Sequence, residues 1–361
     1  MNKKLIALAV AGACFASDAM AQTANPVTLY GRAYLTLESI EAKGSSPLVR
    51  RTRIEDQSSL LGVRGTEDLG GGLKAFFQLE TAFRLDQAGT GFANRNSGVG
   101  LQGGWGSFLM GRWDSPFKVA TIAVDPFGDL TIGGITVANN DQGNFDNRFA
   151  NNLQYWSPNF GGFAFRLASQ VDENRTSFAC GSTTAAGQCK PRNMAANVTF
   201  TRGPIYAFAA YEEHKDITAT VREEEGAAVG GSFAFGPVKL GGLYEEFKRN
   251  PQSGDGFHKR KSWMASVVWT LGNNQFIYQH QDSEGGNRAT VTATTLAVAT
   301  SAECDVDAVG YQYNFSRRTF FLAQYVRVDN KNSNSTCGSG QFGSGAGADP
   351  RGVSLGLRHV F

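Results

Sequence analysis

From residue 27 onward the chain is written as short alternating runs joined by connections of two unequal kinds. In VTLYGRAYLTLE, Leu29, Gly31, Ala33, Leu35 and Leu37 share one face and Tyr30, Arg32, Tyr34 and Thr36 the other, a period of two. LKAFFQLETAFRL repeats the pattern, with Leu73, Ala75, Phe77 and Leu79 on one side and Lys74, Gln78, Glu80 and Arg84 on the other. Such runs turn sharply at Gly103-Gly104-Trp105, Ser157-Pro158-Asn159, Arg202-Gly203-Pro204, Phe235-Gly236-Pro237, Leu271-Gly272-Asn273-Asn274 and Ser316-Arg317-Arg318. Gly, Pro and Asn dominate there because tight turns need their backbone geometry. The intervening connections are long and polar, at roughly 43–52, 171–192, 212–226, 248–261, 281–303 and 330–351.

One alternating strand fits a soluble sandwich equally well. A whole chain of them, with short turns on one side and long loops on the other, is the pattern of a membrane barrel. Counting hairpins gives about sixteen strands, an even number that leaves an aqueous channel. A soluble propeller or β-helix would carry a recurring signature at fixed period, and none is present. No run of 18 uninterrupted apolar residues follows the N-terminus, which excludes a transmembrane helix. Hydrophobic residues are only 41 % of the chain, as expected when lipid-facing and lumen-facing positions alternate. A net charge of +2 offers no basic footprint for nucleic acid. The chain ends GVSLGLRHVF, with Val353, Leu355, Leu357, His359 and Phe361 on one face. A strand running to the last residue suits a closed sheet whose final strand pairs with the first. Phe160, Phe163, Trp263, Trp269, Phe315 and Phe321 fall near strand ends or on the apolar face, where interfacial girdles use them.

The first 21 residues read as a secretory signal. Lys3 and Lys4 precede an apolar stretch from Leu5 to Phe15, and Ala19-Met20-Ala21 offers a cleavage site. The expected division is a signal peptide over 1–21 and a barrel over 22–361. Of five cysteines, Cys14 leaves with the signal. The remaining Cys180, Cys189, Cys304 and Cys337 are even in number in an exported chain, which points to disulfides. Cys180 and Cys189 share one loop, and Cys304 and Cys337 flank one hairpin. That pairing is expected among the three possible.

The rhythm lapses between Trp113 and Phe149. An insert of this length inside a compact fold is usually functional, and here it is expected to fold into the lumen and set the pore.

Four stretches resemble the general diffusion porins of Gram-negative bacteria, specifically the neisserial and betaproteobacterial family. They are Gly65 to Ala75 with Gln78-Leu79-Glu80, then Gly106 to Arg112 with Ser115-Pro116, then Asn151 to Pro158 with Gly162-Phe163, and Leu355 to Phe361. The resemblance implies an all-β antiparallel barrel of sixteen strands with an inward-folded third loop, a homotrimer, and long loops outside the cell. It implies passive diffusion of ions and small hydrophilic solutes across the outer membrane, among lipid and lipopolysaccharide, and reading of Phe361 by the barrel-assembly machinery. It also implies arginines on the wall facing carboxylates on the third loop. Arg148 matches the family's arginine before the strand that leaves the loop. Arg32, Arg84 and Arg166 reach the lumen by parity, and Asp114, Asp125 and Asp129 are the loop carboxylates in reach. The chain departs from the family at Leu60, where an arginine is common, and at Trp156, where a polar residue is usual. A substrate-selective channel on the same barrel is the alternative.

No cofactor or metal is called for. His214, His258, His280 and His359 are scattered, and the chain has no H-E-x-x-H, P-loop or G-x-S-x-G motif. The run Glu223-Glu224-Glu225 reads as a solvated loop rather than a calcium site.

Overall fold

A computed structural model describes residues 27–87, 89, 91–128, 131–139, 145–171, 192–215, 221–251, 258–285 and 303–361. The expected signal peptide, Asp129, Cys180 and Cys189 lie outside the described residues. Seventeen strands form one antiparallel sheet. In chain order these are β1 (Val27–Gly44), β2 (Leu48–Asp56), β3 (Leu60–Gly70), β4 (Leu73–Ala82), β5 (Ser97–Gly103) and β6 (Gly106–Asp114). Two short helices follow, α1 (Pro116–Ile122) and α2 (Thr136–Asn139), then β7 (Arg148–Trp156), β8 (Phe163–Gln170), β9 (Arg192–Arg202) and β10 (Ile205–Lys215). The chain continues through β11 (Val221–Phe235), β12 (Val238–Pro251), β13 (His258–Leu271), β14 (Asn274–Glu284), β15 (Cys304–Asn314), β16 (Thr319–Asn330), helix α3 (Ser339–Phe342) and β17 (Ala348–Val360).

The sheet closes on itself. β17 pairs with β1 from Arg32↔Val360 to Gly44↔Ala348. The last residue extends the ladder, with Gly31 N–H donating to the Phe361 carbonyl at 3.1 Å and Phe361 N–H to the Gly31 carbonyl at 3.0 Å. A Cβ on residue 31 would sit 2.3 Å from the Phe361 ring and 2.8 Å from the Leu60 carbonyl oxygen, so a side chain there would displace the ring that lies across β1.

On its other edge β1 meets β2 along the half nearer the long loops and β3 along the half nearer the short turns. β2 and β3 are two pieces of one broken strand, so seventeen segments occupy sixteen positions. The break falls at Ser58, whose φ is 67°. It is stitched by Gln57 N–H to the Tyr34 carbonyl at 2.9 Å, Tyr34 N–H to Ser59 Oγ at 2.9 Å and Ser59 N–H to Asp56 Oδ1 at 2.8 Å.

Alternation along the strands separates two faces. Leu29, Leu37, Val309, Leu355 and Leu357 are exposed on the outside. Tyr34, Thr36, Glu38, Gln279, Gln281 and Ser354 are buried on the inside. Exposed Phe163, Phe235, Trp269, Phe276, Tyr311 and Phe315 ring the short-turn end of the outer face, and Tyr211, Tyr244, Trp263 and Tyr325 form a second ring. On β13 the two rings are carried by Trp263 and Trp269, roughly 20 Å apart along the strand. That spacing is close to the apolar band of an outer-membrane barrel. Past the second ring the outer face becomes charged. Lys215 bridges Glu213 at 2.7 Å and Glu223 at 3.1 Å, and Lys259 holds Glu246 at 2.7 Å.

The six short turns from Gly103 to Arg318 lie where the sequence places them, whereas the turn expected over Glu67–Gly72 is shorter, because β3 runs to Gly70. Gly203, Gly236 and Gly272 adopt φ of 58°, 53° and 58°, the left-handed geometry that favours glycine. The long connections differ from expectation. The loop expected at 43–52 is a tight hairpin between Gly44 and Leu48, and β10 to β13 run well into the expected loops at 212–226 and 248–261. Those segments rise above the apolar band, so neither face needs to be greasy and the alternation fades without the strand ending.

With Cys180 and Cys189 replaced by Ser, cysteine at Val309 or Leu357 should react only with membrane-soluble maleimides. Cysteine at Gln312 or Gln275 should react with a charged methanethiosulfonate added in water. Reversed labelling would contradict the assignment of faces.

Candidate functional site

The segment between β6 and β7 is clasped at its base. Asp114 pairs across the ladder with Arg148, whose guanidinium lies 3.1 Å from the carboxylate. Asn96 ties both, donating to Asp114 at 2.7 Å and accepting from Arg148 Nε at 3.0 Å. Ser115 then caps α1, its Oγ accepting from Lys118 N–H at 3.1 Å, and Pro116 opens the helix where a missing N–H costs nothing.

From there the segment lies against the inward face of the wall. Asn197 donates to the Pro116 carbonyl at 2.6 Å and Tyr206 to the Ala120 carbonyl at 3.4 Å. Phe117 packs between Phe145 and Phe247, with both ring centroids at 5.9 Å. Farther along, Gln279 donates to the Gly133 carbonyl at 3.0 Å, Gln281 to the Gly134 carbonyl at 3.1 Å, and Arg260 to the Ala138 carbonyl. Phe127, Ile132, Val137 and Ala138 join an apolar cluster with Ile277, Val306, Ala308 and Leu322 of the wall. Asp125 folds the turn itself, accepting from Phe127 N–H and Ile135 N–H, both at 2.9 Å.

A second segment braces the first, and the sequence reading did not foresee it. In the connection between β16 and β17, Gly338 N–H donates to the Val137 carbonyl at 2.9 Å and Gln341 to Thr136 Oγ1 at 2.8 Å. Arg51 and Arg53 of β2 donate to the Phe342 and Gln341 carbonyls, and Phe342 is fully buried. The Cys304–Cys337 disulfide anchors this segment to β15, as the sequence reading expects. Cys337, midway along a polar loop, was the one sequence signal that this connection is held to the wall.

The remaining wall, from β17 through β1 to β4, is basic. Arg32 donates twice to the Ser58 carbonyl, at 3.1 and 2.5 Å. Arg64 lies 5.0 Å over the Tyr30 ring and Arg358 5.2 Å over the Phe320 ring. Arg95 pairs with Glu80 at 2.7 Å. A cavity of about 330 Å³ separates this wall from the 125–131 turn, lined by Arg32, Arg358, Gln275 and Gln312 on one side and Asp125 and Phe127 on the other.

Comparison with known proteins agrees with this architecture. The model of the Gram-negative porin family matches residues 7–333. The chain belongs to that family. It is 34 % identical to outer membrane porin protein 32 of Delftia acidovorans, over all of both chains. It is 26 % identical to a major outer membrane protein P.IB of Neisseria meningitidis serogroup B, again over all of both chains. Its fold superposes on the anion-selective porin from Comamonas acidovorans with a TM-score of 0.77, at 27 % identity over 93 % of this chain and 100 % of the other. It also superposes on OmpT of Vibrio cholerae in its trimer form, with a TM-score of 0.67 at 15 % identity over 94 % of this chain and 100 % of the other. The porin is thus a multi-pass β-barrel of the outer membrane and a passive pore for ions and small hydrophilic solutes. Its family and fold are those of channels rather than enzymes.

The expected site residues of the porin fall into different places. Arg148 and Asp114 meet, but as a pair with each other. Asp125 lines the cavity while spending both oxygens on its own turn. Arg32 lines the cavity. Arg166 lies on the inward face, 4.8 Å over the Trp156 ring, and Trp156 donates to Gln154 at 2.8 Å. Arg84 is not placed by a strand. β4 ends at Ala82, so strand parity no longer applies, and Arg84 is an exposed loop residue paired with Glu55 at 2.9 Å and Asp86 at 3.0 Å. Burial pushes the Asp86 carboxyl up, but the Arg84 guanidinium outweighs it and holds the group below the usual carboxylate range. The acidic run also divides. Glu224 is buried inside against His214 at 3.4 Å and Arg249 at 2.5 Å, whereas Glu223 faces Lys215.

Arg148→Ala should leave the Asp114 carboxylate uncompensated and shift selectivity toward cations, read as a change of reversal potential in a salt gradient. Cys337→Ser should raise single-channel conductance with strand content unchanged by circular dichroism, because the brace loses a link whose typical worth is about 2–4 kcal/mol.

Proposed function

We propose that the 113–149 loop folds into the lumen as the pore's constriction, with the 331–347 connection braced against it. The observation that carries this reading is the set of wall amides, Asn197, Gln279 and Gln281, that donate from the inward face to carbonyls of the loop. Each such bond contributes roughly 0.5–1.5 kcal/mol net, and several together with an apolar seat fix a segment that water would otherwise solvate. The cavity of about 330 Å³ left beside the basic wall is lined by arranged charges, which is what ion and solute selection needs. The same reading makes the porin a homotrimer, the state named for the OmpT barrel, with long loops facing outward into lipopolysaccharide. It takes residues 1–21 as a cleaved export signal and Phe361 as the mark read by the assembly machinery. The basic wall favours anions, the same preference for which the Comamonas porin is named.

Recordings of purified protein in planar bilayers should show ohmic conductance steps closing in groups of three, without saturation by any one solute. Deleting the turn around Phe127 to Ile132 should increase conductance about severalfold in a lumen otherwise wide enough for an aqueous channel. Unchanged conductance after that deletion would remove the loop from the constriction.

A further inference from the structure

We propose that a protonated His214, held between the carboxylates of Glu212 and Glu224, is the positioning residue for the returning end of the 113–149 loop, so that the width of the pore depends on the proton this ring carries. The proposal rests on the pore reading above and adds to it the group that sets the loop's seat.

The returning end is residues 145–149, and aromatic rings hold it. Phe145 lies between Phe117 of α1 and Phe247 of β12, with ring centroids at 5.9 and 4.9 Å. The imidazole of His214 stacks on the same ring at 4.6 Å and meets Phe149 edge-on at 6.1 Å. Gly226, opposite Glu212 in the β10–β11 ladder, leaves the space for this arrangement, since a Cβ there would come within 2.7 Å of the Phe145 ring. His214 is the floor on which Phe145 rests.

Carboxylates lie on both sides of that floor. Glu212, His214 and Glu224 are all buried. His214 Nε2 is 2.8 Å from Glu212 Oε1, and Nδ1 is 3.4 Å from Glu224 Oε2. Arg249 of β12 donates to the other oxygen of Glu224 at 2.5 Å. The second oxygen of Glu212 makes no hydrogen bond among the described residues, so His214 is the partner on which Glu212 depends. Other charged groups of the neighbouring elements are matched elsewhere. Asp146 of the loop lies 3.7 Å from Lys118 of α1, and Arg148 is held by Asp114 at 3.1 Å. Glu213, Glu223 and Lys215 meet on the outer face. On β9 the residue opposite His214 is the neutral Asn193.

A neutral imidazole has one N–H and one lone pair, whereas the imidazolium has two N–H groups. Only the protonated ring can donate to both carboxylates. It also presents a positive charge to the negative face of the Phe145 ring. Loss of the proton turns a lone pair toward one carboxylate and leaves Glu212 buried without a positive partner, which is costly in a dry site. The carboxylate is then drawn toward the water of the lumen. Phe145 covers Gly226 beside it, so the ring must give way. The returning end of the loop lifts from the wall and the passage widens.

The test is planar-bilayer recording of the full porin at constant salt across pH, the proton being the probe. Conductance should hold steady through neutral pH and rise reversibly in alkaline solution as His214 loses its proton. Glu212→Gln removes the charge that needs this proton, so the alkaline rise should be lost. His214→Gln should show the raised conductance already at neutral pH, and the double change Glu212→Gln with His214→Gln should reverse that increase. A ring that served only as packing would not be rescued by removing a charge beside it. If His214→Gln does not assemble, the unaltered protein and Glu212→Gln decide the matter between them. A flat profile in the unaltered protein, or an alkaline rise that survives in Glu212→Gln, would overturn the proposal. Absence of conductance in the unaltered protein would instead overturn the pore reading on which it stands.

Discussion

The backbone hydrogen bond between the first and last strands is the constraint on which the rest of this molecule depends. Hydrocarbon offers no partner to an exposed N–H or C=O, so a sheet can cross a membrane only if it has no open edge. β17 supplies that closure from Arg32 to Gly44 of β1. Once the sheet is closed, the period-two geometry of the strand sends alternate side chains to lipid and to lumen. One consequence is an outer face of Leu, Val and aromatic residues. The other is an inner face free to carry Arg, Gln and Glu in a water-filled space.

The lumen of such a barrel is a wide and featureless tube until something fills it. Here the contacts between the wall and the segment that follows β6 rely on amides more than on charges. Gln279, Gln281 and Asn197 reach carbonyls of the loop, and an apolar patch around Phe127 and Ile132 seats it against Ile277 and Ala308. Charges on this side are turned to internal use. Glu212 and Glu224 enclose His214 beneath Phe145, whose ring stacks on the imidazole at 4.6 Å. The opposite wall is left with guanidinium groups supported by aromatic rings and a main-chain carbonyl. The two walls therefore differ: one meets the segment that follows β6, and the other carries the guanidinium groups.

Much of the fold could be read from residues alone, and the reasons are local. Turns such as Arg202-Gly203-Pro204 announce themselves because only a few residue types tolerate them. Strands announce themselves where lipid touches them, as in Leu29 to Leu37. The same logic explains what stayed hidden. β2 and the outer ends of β10 to β13 stand clear of lipid, so their two faces are equally polar and no alternation marks them. Arg84 shows the limit of parity, since counting by twos ends where the strand ends, at Ala82. The clasp of Asp114 and Arg148 was legible as two residues and not as a pair, because a bulge between Gly111 and Trp113 shifts the register that brings them together. Arg358 went unread because the terminal strand was read for its apolar outer face. The brace by α3 joins residues some two hundred positions apart, beyond any local pattern.

The contact between Gly31 and Phe361 has a further consequence for how the protein comes into being. A helical bundle can settle piece by piece as it is made. In this chain the first strand's partner is the last strand of the sheet to be synthesised, so no earlier portion of the sheet can complete its own hydrogen bonding. Every incomplete chain presents raw strand edges and apolar faces, the condition in which polypeptides stick to one another. Closure is therefore a single late event. Until it happens, the chain must be kept from settling in any other way.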